Sequence, residues 1–282
     1  SEKEEIHDVI NALEDPKKFV IVQTAPAVRA SLAEEFGAPM GTRITGKMVS
    51  ALKQVGFDRV YDTNVAADLT ILEEGHELLH RLENKGVLPL ITSCSPGWIN
   101  FLEKEYASLI PHVSSCKSPH MMFGAILKSH FAKVKGLDPK DIVVVSIMPC
   151  TAKKGEKERM TSEYKDVDHV LTTRECGRLI KLYGLDLMSM RDSEFDQDMF
   201  GTSSGAGVIF GVSGGVMEAA LRTVVEKLTN KPLDKLEFKE LRLIKDVKEA
   251  DINVNGTIVK VAAVSTMKAA KPILKQIQEG TS

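Results

Sequence analysis

The sequence predicts an α/β fold in which parallel strands alternate with helices. Short apolar runs recur between longer segments that have helical spacing, and two of the runs lead to a cysteine and a nearby proline. A β-α-β order of this kind indicates parallel strands joined by right-handed crossovers. The 282 residues are enough for one large domain or two lobes, and two small α/β lobes in one compact unit fit the pattern best.

The elements can be placed in order along the chain. The predicted strands are 18–23, 59–63, 87–91, 142–147, 167–172 and 258–264. The main predicted helices are 46–55, 66–84, 175–183 and 269–278. Thr172 or Thr173 is expected to cap the third of these helices, and 251–257 is expected to form a hairpin around Asn255 and Gly256.

Composition limits the class of protein. Hydrophobic residues make up 43% and charged residues 27%, which is typical of a soluble globular chain. A net charge of −2 gives no reason to expect nucleic acid or an anionic membrane as a partner. Apolar runs stay well short of the roughly 20 residues that cross a bilayer, and the charged start is unlike a signal peptide. These features predict a cytoplasmic protein.

The four cysteines form no Cys-x-x-Cys pair, which argues against a zinc ribbon or a ferredoxin-type run. Their wide spacing argues against disulfides. Cys94 and Cys150 each lie where a predicted strand gives way to a loop, so the two thiols can converge on one inorganic site. Cys116 and Cys176 are expected to be ordinary buried or half-buried thiols.

Six blocks together resemble the catalytic domain of iron-only (FeFe) hydrogenases. Two of them read Thr92-Ser93-Cys94-Ser95-Pro96-Gly97-Trp98 and Met148-Pro149-Cys150-Thr151-Ala152-Lys153-Lys154, and the others are 62–74, 114–119, 170–175 and 204–220. They occur in the family's order over roughly residues 18 to 265. The resemblance implies a single domain, 1–282, of two lobes, each a twisted, mainly parallel sheet flanked by helices, with the active-site cavity between them. Lobe one is expected at about 1–110 with 257–282, and lobe two at about 111–256.

The resemblance also implies a cofactor, the H-cluster, in which a 4Fe-4S unit is joined to a two-iron site. Cys150 matches one ligand of the 4Fe-4S unit, and Ser95 stands where the family has another. Two more family ligands lie in a C-terminal Cys-x-x-x-Cys segment, which has no match up to Ser282. Because iron prefers thiolate to a serine hydroxyl, we expect the H-cluster to be absent or incomplete in this chain alone.

The family's proton relay implies a catalytic role for five residues, namely Cys94, Glu74, Glu77, Arg81 and Ser114. Acid, hydroxyl and thiol groups in series can pass a proton between the surface and a metal. The two glutamates and the arginine share one face of the predicted helix 66–84. Without the resemblance, a solvated or salt-bridged helix face explains the same spacing.

Other matched residues would line the cofactor pocket: Ala25, Pro26, Ala27, Met148, Pro149, Lys153 and His120. Lys153 matches a lysine that donates to a cyanide ligand, and its alternative is a surface lysine beside Lys154. His120 stands where catalytic members usually carry glutamine, and its alternative is a surface or helix-start histidine. The glycine-rich 201–215 is either a phosphate loop before a helix or a tightly packed segment that only small residues allow.

Three functions remain open at this stage. The first is a hydrogenase (the ferredoxin hydrogenase reaction of anaerobic metabolism) that interconverts protons and H2 and receives electrons from a ferredoxin-like carrier or a second subunit. The second is a non-catalytic paralogue that acts as a sensor, scaffold or iron–sulfur assembly partner. The third binds a smaller iron–sulfur centre through Cys94 and Cys150. In all three, nucleic acid and membranes are not expected as partners.

Overall fold

The computed structural model describes residues 3–159, 163–198, 201–210, 214–229, 239–240, 246–254 and 257–280. The chain divides into two compact units, and each is described by itself. Unit 1 comprises 1–66 and 119–203, and unit 2 comprises 67–118 and 204–282. These bounds differ from those of the predicted lobes, because strands from both sequence segments of unit 1, 1–66 and 119–203, form one hydrogen-bonded sheet.

Among the described residues the helices and strands follow the predicted alternation as far as residue 83. The α-helices are α1 Ile6–Glu14, α2 Val28–Ser31, α3 Thr45–Val55, α4 Thr63–Glu83, α5 Pro96–Glu105, α6 Pro119–Ile126, α7 Ala132–Lys135, α8 Ala152–Glu156, α9 Thr173–Leu182, α10 Gly205–Ile209, α11 Gly215–Thr229 and α12 Met267–Glu279. The strands are β1 Phe19–Thr24, β2 Arg59–Asp62, β3 Ile142–Met148, β4 His169–Thr172, β5 Lys239–Glu240, β6 Val247–Val254 and β7 Thr257–Val264.

Unit 1 is built on a four-stranded parallel sheet in the order β2-β1-β3-β4. β1 and β3 are almost completely buried, as expected for central parallel strands covered on both faces. Their side chains join the largest hydrophobic core, in which Ile21, Val145 and Leu171 are fully buried. Thr172 caps α9 in a reciprocal capping box with Glu175. The α/β class with a helix-flanked parallel sheet is therefore confirmed.

Unit 2 contains a different sheet. Its described strands β5, β6 and β7 pair antiparallel, whereas the prediction expected a mainly parallel sheet in each lobe. The two long strands β6 and β7 are consecutive in the chain, and such strands pair antiparallel through a short connection. The predicted hairpin strands are present, and Asn255 and Gly256 lie outside the described residues.

The predicted strand 87–91 is wrong. Only an isolated parallel bridge between Ile91 and Val113 forms there, with Ile91 N–H donating to His112 O and Ser114 N–H donating to Ile91 O. Pro89 has no N–H for a ladder, and Val87 and Leu88 are exposed. Cys94 therefore follows a loop, whereas Cys150 does follow a strand.

A test of the unit 1 packing lies at Gly124 in α6. A Cβ at this position would come within 2.0 Å of the Asp166 carbonyl oxygen. We expect Gly124→Ala to lower the free energy of unfolding by about 2 kcal/mol or more, because backbone atoms have to move. Urea unfolding followed by circular dichroism measures the change.

The matched control is Gly155→Ala in α8, where a Cβ meets nothing within 4 Å. This change should be neutral or stabilising by up to about 1 kcal/mol, because alanine favours a helix more than glycine does. Equal effects of the two substitutions would contradict the packing described around α6.

Candidate functional site

The carboxyl edge of the unit 1 sheet carries several predicted site residues. The chain continues from β1 to β2 on one side, and β3 lies on the other side, so the topological switch point lies between β1 and β3. Residues 25–27 follow β1, and Pro149 and Cys150 follow β3. Ligands of open parallel sheets bind beyond the strand ends at such a point. The thiol of Cys150 is exposed there, and Met148 is buried just before it.

His120, at the start of α6, is 1% exposed, so the surface alternative is wrong. One ring nitrogen, Nε2, lies 2.7 Å from Glu156 Oε2, and the other, Nδ1, lies 3.3 Å from Ser146 Oγ. Burial lowers the pKa of His120 below its usual value, although Glu156 opposes the change. The neutral ring therefore donates from Nε2 to the carboxylate and accepts from the serine hydroxyl.

Lys153 binds the same carboxylate oxygen, with 2.7 Å between its Nζ and Glu156 Oε2. Burial acts to raise the pKa of Glu156, but the hydrogen bond from His120 and the Lys153 charge outweigh it and lower the value to about 2. Lys154 is also buried, and its Nζ binds Val170 O and Glu175. Neither lysine is therefore an open surface residue.

Glu74 lies on the buried face of α4 in unit 2. It is 3% exposed, and its two carboxyl oxygens make no hydrogen bond of normal geometry. Burial raises its pKa to about 7, and the nearby charge of Glu77 adds to the rise, while the Ser93 N–H and the Ser114 hydroxyl only partly oppose it. Glu74 is therefore an acid that gains and loses a proton near neutral pH.

Glu77, one helical turn later, is in the opposite situation. Its carboxylate accepts from Arg81 Nη2 at 2.6 Å, from Ser114 Oγ at 2.8 Å and from the Ser115 N–H at 3.0 Å. The Cys116 thiol also points at it, with 3.7 Å from Sγ to Oε2. Desolvation opposes these groups, but together they lower the pKa of Glu77 below its ordinary value. Glu77 is held as an anion.

Arg81 connects this carboxylate to a loop. Its Nη1 donates to the carbonyls of Val87 and Pro111, and its Nη2 donates to that of Val113. The salt-bridged alternative thus describes Glu77 and Arg81 correctly, because both have fixed structural partners. It does not describe Glu74, which has no cationic partner among these contacts.

Cys94 and Ser95 precede α5. Cys94 is half-buried, and Ser95 is exposed at the N-cap position. The Ser95 carbonyl accepts from Ile99 N–H, but its hydroxyl does not cap the helix.

Two groups of predicted site residues are brought together by direct contacts or by charge. The group in unit 2 consists of Glu74, Glu77, Arg81 and Ser114. The group in unit 1 consists of His120 and Lys153, which share the Glu156 carboxylate.

Sequence reasoning missed Glu156, which links His120 to Lys153. Its spacing of three residues after Lys153 was the available signal, because side chains at i and i+3 are neighbours on a helix. It also missed the Ser115 N–H, since a backbone donor leaves no mark in the sequence.

The glycine-rich segment does not form a phosphate loop in its described part. The Asp68 carboxylate accepts from the backbone N–H groups of Ser204 and Gly207 at the start of α10. A side-chain anion therefore already occupies this helix end. A Cβ at Gly215 would lie 1.7 Å from Ile209 O, so the expectation of tight packing is confirmed at that residue.

Comparison with known proteins agrees with these blocks. Residues 18–282 match the family described as "Iron only hydrogenase large subunit, C-terminal domain". The chain belongs to this family. It is 44% identical to Iron hydrogenase 1 of Clostridium pasteurianum over 94% of this chain and 46% of that protein. It is also 44% identical to the NADP-reducing hydrogenase subunit HndD of Solidesulfovibrio fructosivorans, over 99% of this chain and 49% of that one.

Other relatives have different names. The cytosolic Fe-S cluster assembly factor narfl of Xenopus tropicalis is 36% identical over 91% of this chain and 57% of its own length. The solved structure of apo FeFe-hydrogenase HydA1 from Chlamydomonas reinhardtii matches with a TM-score of 0.86 and 39% identity, covering 99% of this chain and 80% of that one. The hydrogenase-family chain spans about half the length of the first curated relatives. No described helix is long and apolar enough to span a membrane.

The thiols of this hydrogenase-family chain do not fit a complete H-cluster. None of the four cysteines is in a disulfide, but Cys176 is fully buried and burial raises its pKa to about 12. Burial also raises the pKa of Cys116 to about 12. Within the described residues, no group of three or more His, Cys, Asp and Glu side chains is arranged to hold a metal ion. Cys94 and Cys150 are the thiols left for a cluster that needs four ligands.

The pKa of Glu74 predicts how stability depends on pH. The unfolded chain releases this proton near the ordinary value of 4.5, whereas the folded chain keeps it up to about 7. The folded state therefore binds more protons in this window, so the free energy of unfolding falls by about 3 kcal/mol as the pH rises through it.

Glu74→Gln should remove this pH-dependent decrease in the free energy of unfolding, because an amide does not ionise. Urea unfolding at pH 4.5, 6, 7 and 8 measures the dependence for both proteins. The control is Glu73→Gln, which changes the exposed neighbouring glutamate and should retain the wild-type slope. A Glu74→Gln protein with the wild-type slope would show that Glu74 titrates normally.

A second prediction concerns Glu156. Glu156→Ala removes the acceptor shared by His120 and Lys153 and leaves a largely buried ammonium without this partner. We expect a loss of about 3 kcal/mol in the free energy of unfolding at pH 7, measured by urea denaturation. Glu4→Ala is the control, since its ion pair with Arg178 is about half exposed and should contribute less than about 1 kcal/mol. Similar losses in the two variants would rule out a special role for the Glu156 carboxylate.

Proposed function

We propose that this chain is the proton-handling and cofactor-binding part of an FeFe-hydrogenase domain that acts in the reversible interconversion of protons and H2. The contrast between Glu74 and Glu77 carries the proposal. A buried acid with a pKa near 7 lies beside an anion that is fixed by Arg81 and Ser114. Membership of the hydrogenase family supports the reaction class.

In this proposal Glu74 is the residue that carries the proton. General acids and bases work best when their pKa lies near the working pH, which Glu74 satisfies and Glu77 does not. Burial raises the pKa of Glu74, and Glu77 contributes a fixed negative charge that adds to the rise. Arg81 and Ser114 hold that charge in place, and Cys94 is the thiol with which Glu74 would exchange its proton.

The unit 1 residues would serve the cofactor side. Cys150 is the proposed iron ligand beyond β3, and residues 25–27, Met148 and Pro149 would form the pocket wall. The Lys153 ammonium would donate a hydrogen bond to an anionic group of the cofactor. His120 donates a hydrogen bond from Nε2 to the Glu156 carboxylate, so its proposed role is to position that carboxylate. The thiolates still missing would have to come from outside these 282 residues, since all four cysteines of the sequence are already accounted for.

We further propose a cytoplasmic protein of anaerobic metabolism whose electrons pass to or from a ferredoxin-like carrier or a second subunit. The relative HndD is named as a subunit of an NADP-reducing hydrogenase, and narfl is named as cytosolic. A further relative from Nitratidesulfovibrio vulgaris is named periplasmic, so fractionation of the native cells tests the location.

A second candidate function is a non-catalytic iron–sulfur assembly partner. Ser95 at an expected ligand position favours it, because a serine holds iron less firmly than a thiolate. The similarity to narfl also supports it. A protein of this class would bind an iron–sulfur centre and show no hydrogen chemistry.

The deciding experiment is to express the chain within its native reading frame, together with any partner subunit and the maturation machinery of an FeFe-hydrogenase host, and to measure iron, sulfide, infrared bands and H2 production. CO and cyanide bands with H2 production support the hydrogenase proposal. An iron–sulfur absorption without those bands supports a smaller centre or the assembly function, and the absence of both overturns the hydrogenase proposal.

Glu74→Gln then tests the proton role. We expect its rate of H2 production to fall by about 100-fold or more with unchanged iron content, which is the usual loss when a general acid is removed. Glu73→Gln should keep the wild-type rate. An unchanged rate in Glu74→Gln would assign proton transfer to another path.

A further inference from the structure

We infer that Ser93 is a positioning residue for Glu74, because its hydroxyl holds the loop before α5 so that its own backbone N–H faces the Glu74 carboxyl group. Both residues belong to unit 2. The inference rests on the proposed function, in which Glu74 carries the proton. It concerns the donors around this acid and needs no bound cofactor.

Two loops of unit 2 begin to pair like parallel strands. Ile91 N–H donates to His112 O at 2.8 Å, and Ser114 N–H donates to Ile91 O at 2.7 Å. One residue that bonds to two residues of the facing strand is the repeating pattern of a parallel ladder. If the ladder continued, the Ser93 N–H would donate to Ser114 O, and Ser93 O would accept from the Cys116 N–H.

The ladder stops at Ser93, and side chains replace its next bonds. The Cys116 N–H donates to Ser114 Oγ at 3.1 Å. Ser93 Oγ donates to Cys116 O at 2.7 Å. Within these two described loops, Ser93 makes no backbone–backbone bond to residues 114–116. The serine hydroxyl therefore keeps the loops together while the Ser93 N–H stays available to another acceptor.

That acceptor is the Glu74 carboxyl group. Burial raises the pKa of Glu74, and the Ser93 N–H and the Ser114 hydroxyl partly oppose the rise. The carboxyl oxygens make no hydrogen bond of normal geometry, so the exact position of the donor decides how strongly it acts. Because such interactions weaken steeply with distance and angle, a small movement of the loop would change the proton affinity of Glu74.

The other titratable groups that act on Glu74 have partners of their own. Glu77 adds to the rise in the pKa of Glu74, and its charge is held by Arg81. Burial, with the charges of Glu74 and Glu77, raises the pKa of the facing Cys116 thiol to about 12, so this thiol stays neutral near pH 7. Removal of the Ser93 hydroxyl leaves these charges unchanged, and the titration of Glu74 then reports on the position of the loop.

The test is the titration of Glu74 in Ser93→Ala, measured in the full 282-residue chain. The free energy of unfolding in urea is followed from pH 4.5 to about pH 9, and the profile of Glu74→Gln is subtracted to isolate Glu74. We expect the midpoint to move to higher pH by about 0.5, because a donor to the ionised form is lost. Infrared absorption of the protonated carboxyl group, measured on the folded variants, gives the same midpoint independently.

Three further variants serve as controls. Ser93→Thr retains the hydroxyl and should keep the wild-type midpoint. Ser129→Ala removes a hydroxyl that donates to Ala125 O, also at 2.7 Å, in unit 1, and it should keep the midpoint too. Ser93→Cys has a similar size and a weaker donor. It should move the midpoint in the same direction as Ser93→Ala, and it replaces that variant if the alanine protein does not fold.

Two results would overturn the inference. A Ser93→Ala protein that loses the same stability at every pH, with the wild-type midpoint, would show that Ser93 only supports the fold. An equal shift in Ser93→Thr and Ser93→Ala would show that the hydroxyl does not set the loop position. Neither result touches the hydrogenase proposal. A failure to produce H2 would count against that proposal and leave the measured titration of Glu74 as it is.

Discussion

The difference in hydrogen bonding between Glu74 and Glu77 is the constraint on which the unit 2 site depends. The two carboxyl groups lie on one face of α4, yet Glu74 makes no hydrogen bond of normal geometry, whereas Glu77 accepts from an arginine, hydroxyls and a backbone N–H. A buried carboxyl group without donors favours its neutral form, whereas one with several donors favours its charged form. One helix face therefore holds an acid that titrates near neutral pH beside a permanent anion.

Unit 1 controls its polar groups by pairing charges. The Glu156 carboxylate is shared by a neutral imidazole and an ammonium, and the buried ammonium of Lys154 is paired with Glu175. Both pairs involve α8, the short helix that follows Cys150. Removing one member of such a pair leaves a charge without compensation, so the loop after β3 is held by electrostatics as well as by packing.

The parallel sheet could be predicted because its strands are continuous apolar runs, such as the one that forms β3. The wrong predictions lie where the local sequence pattern and the tertiary environment favour different structures. Apolar residues around Pro89 resembled a strand, but the proline removes a donor that a ladder needs. The partners of the predicted site residues were harder to predict than the strands. Glu156 resembles any glutamate on a helix surface, and the burial of Glu74 depends on residues distant in sequence.

The raised pKa values of two of the four thiols have a consequence for damage by oxygen. Oxidation to sulfenic acid begins from the thiolate, which is scarce where burial keeps the pKa near 12, as at Cys116 and Cys176. Oxidants would therefore modify the exposed Cys150, at the carboxyl end of β3, before Cys116 and Cys176. If Cys150 is the iron ligand proposed above, such oxidation would block iron binding without a change in the core of unit 1.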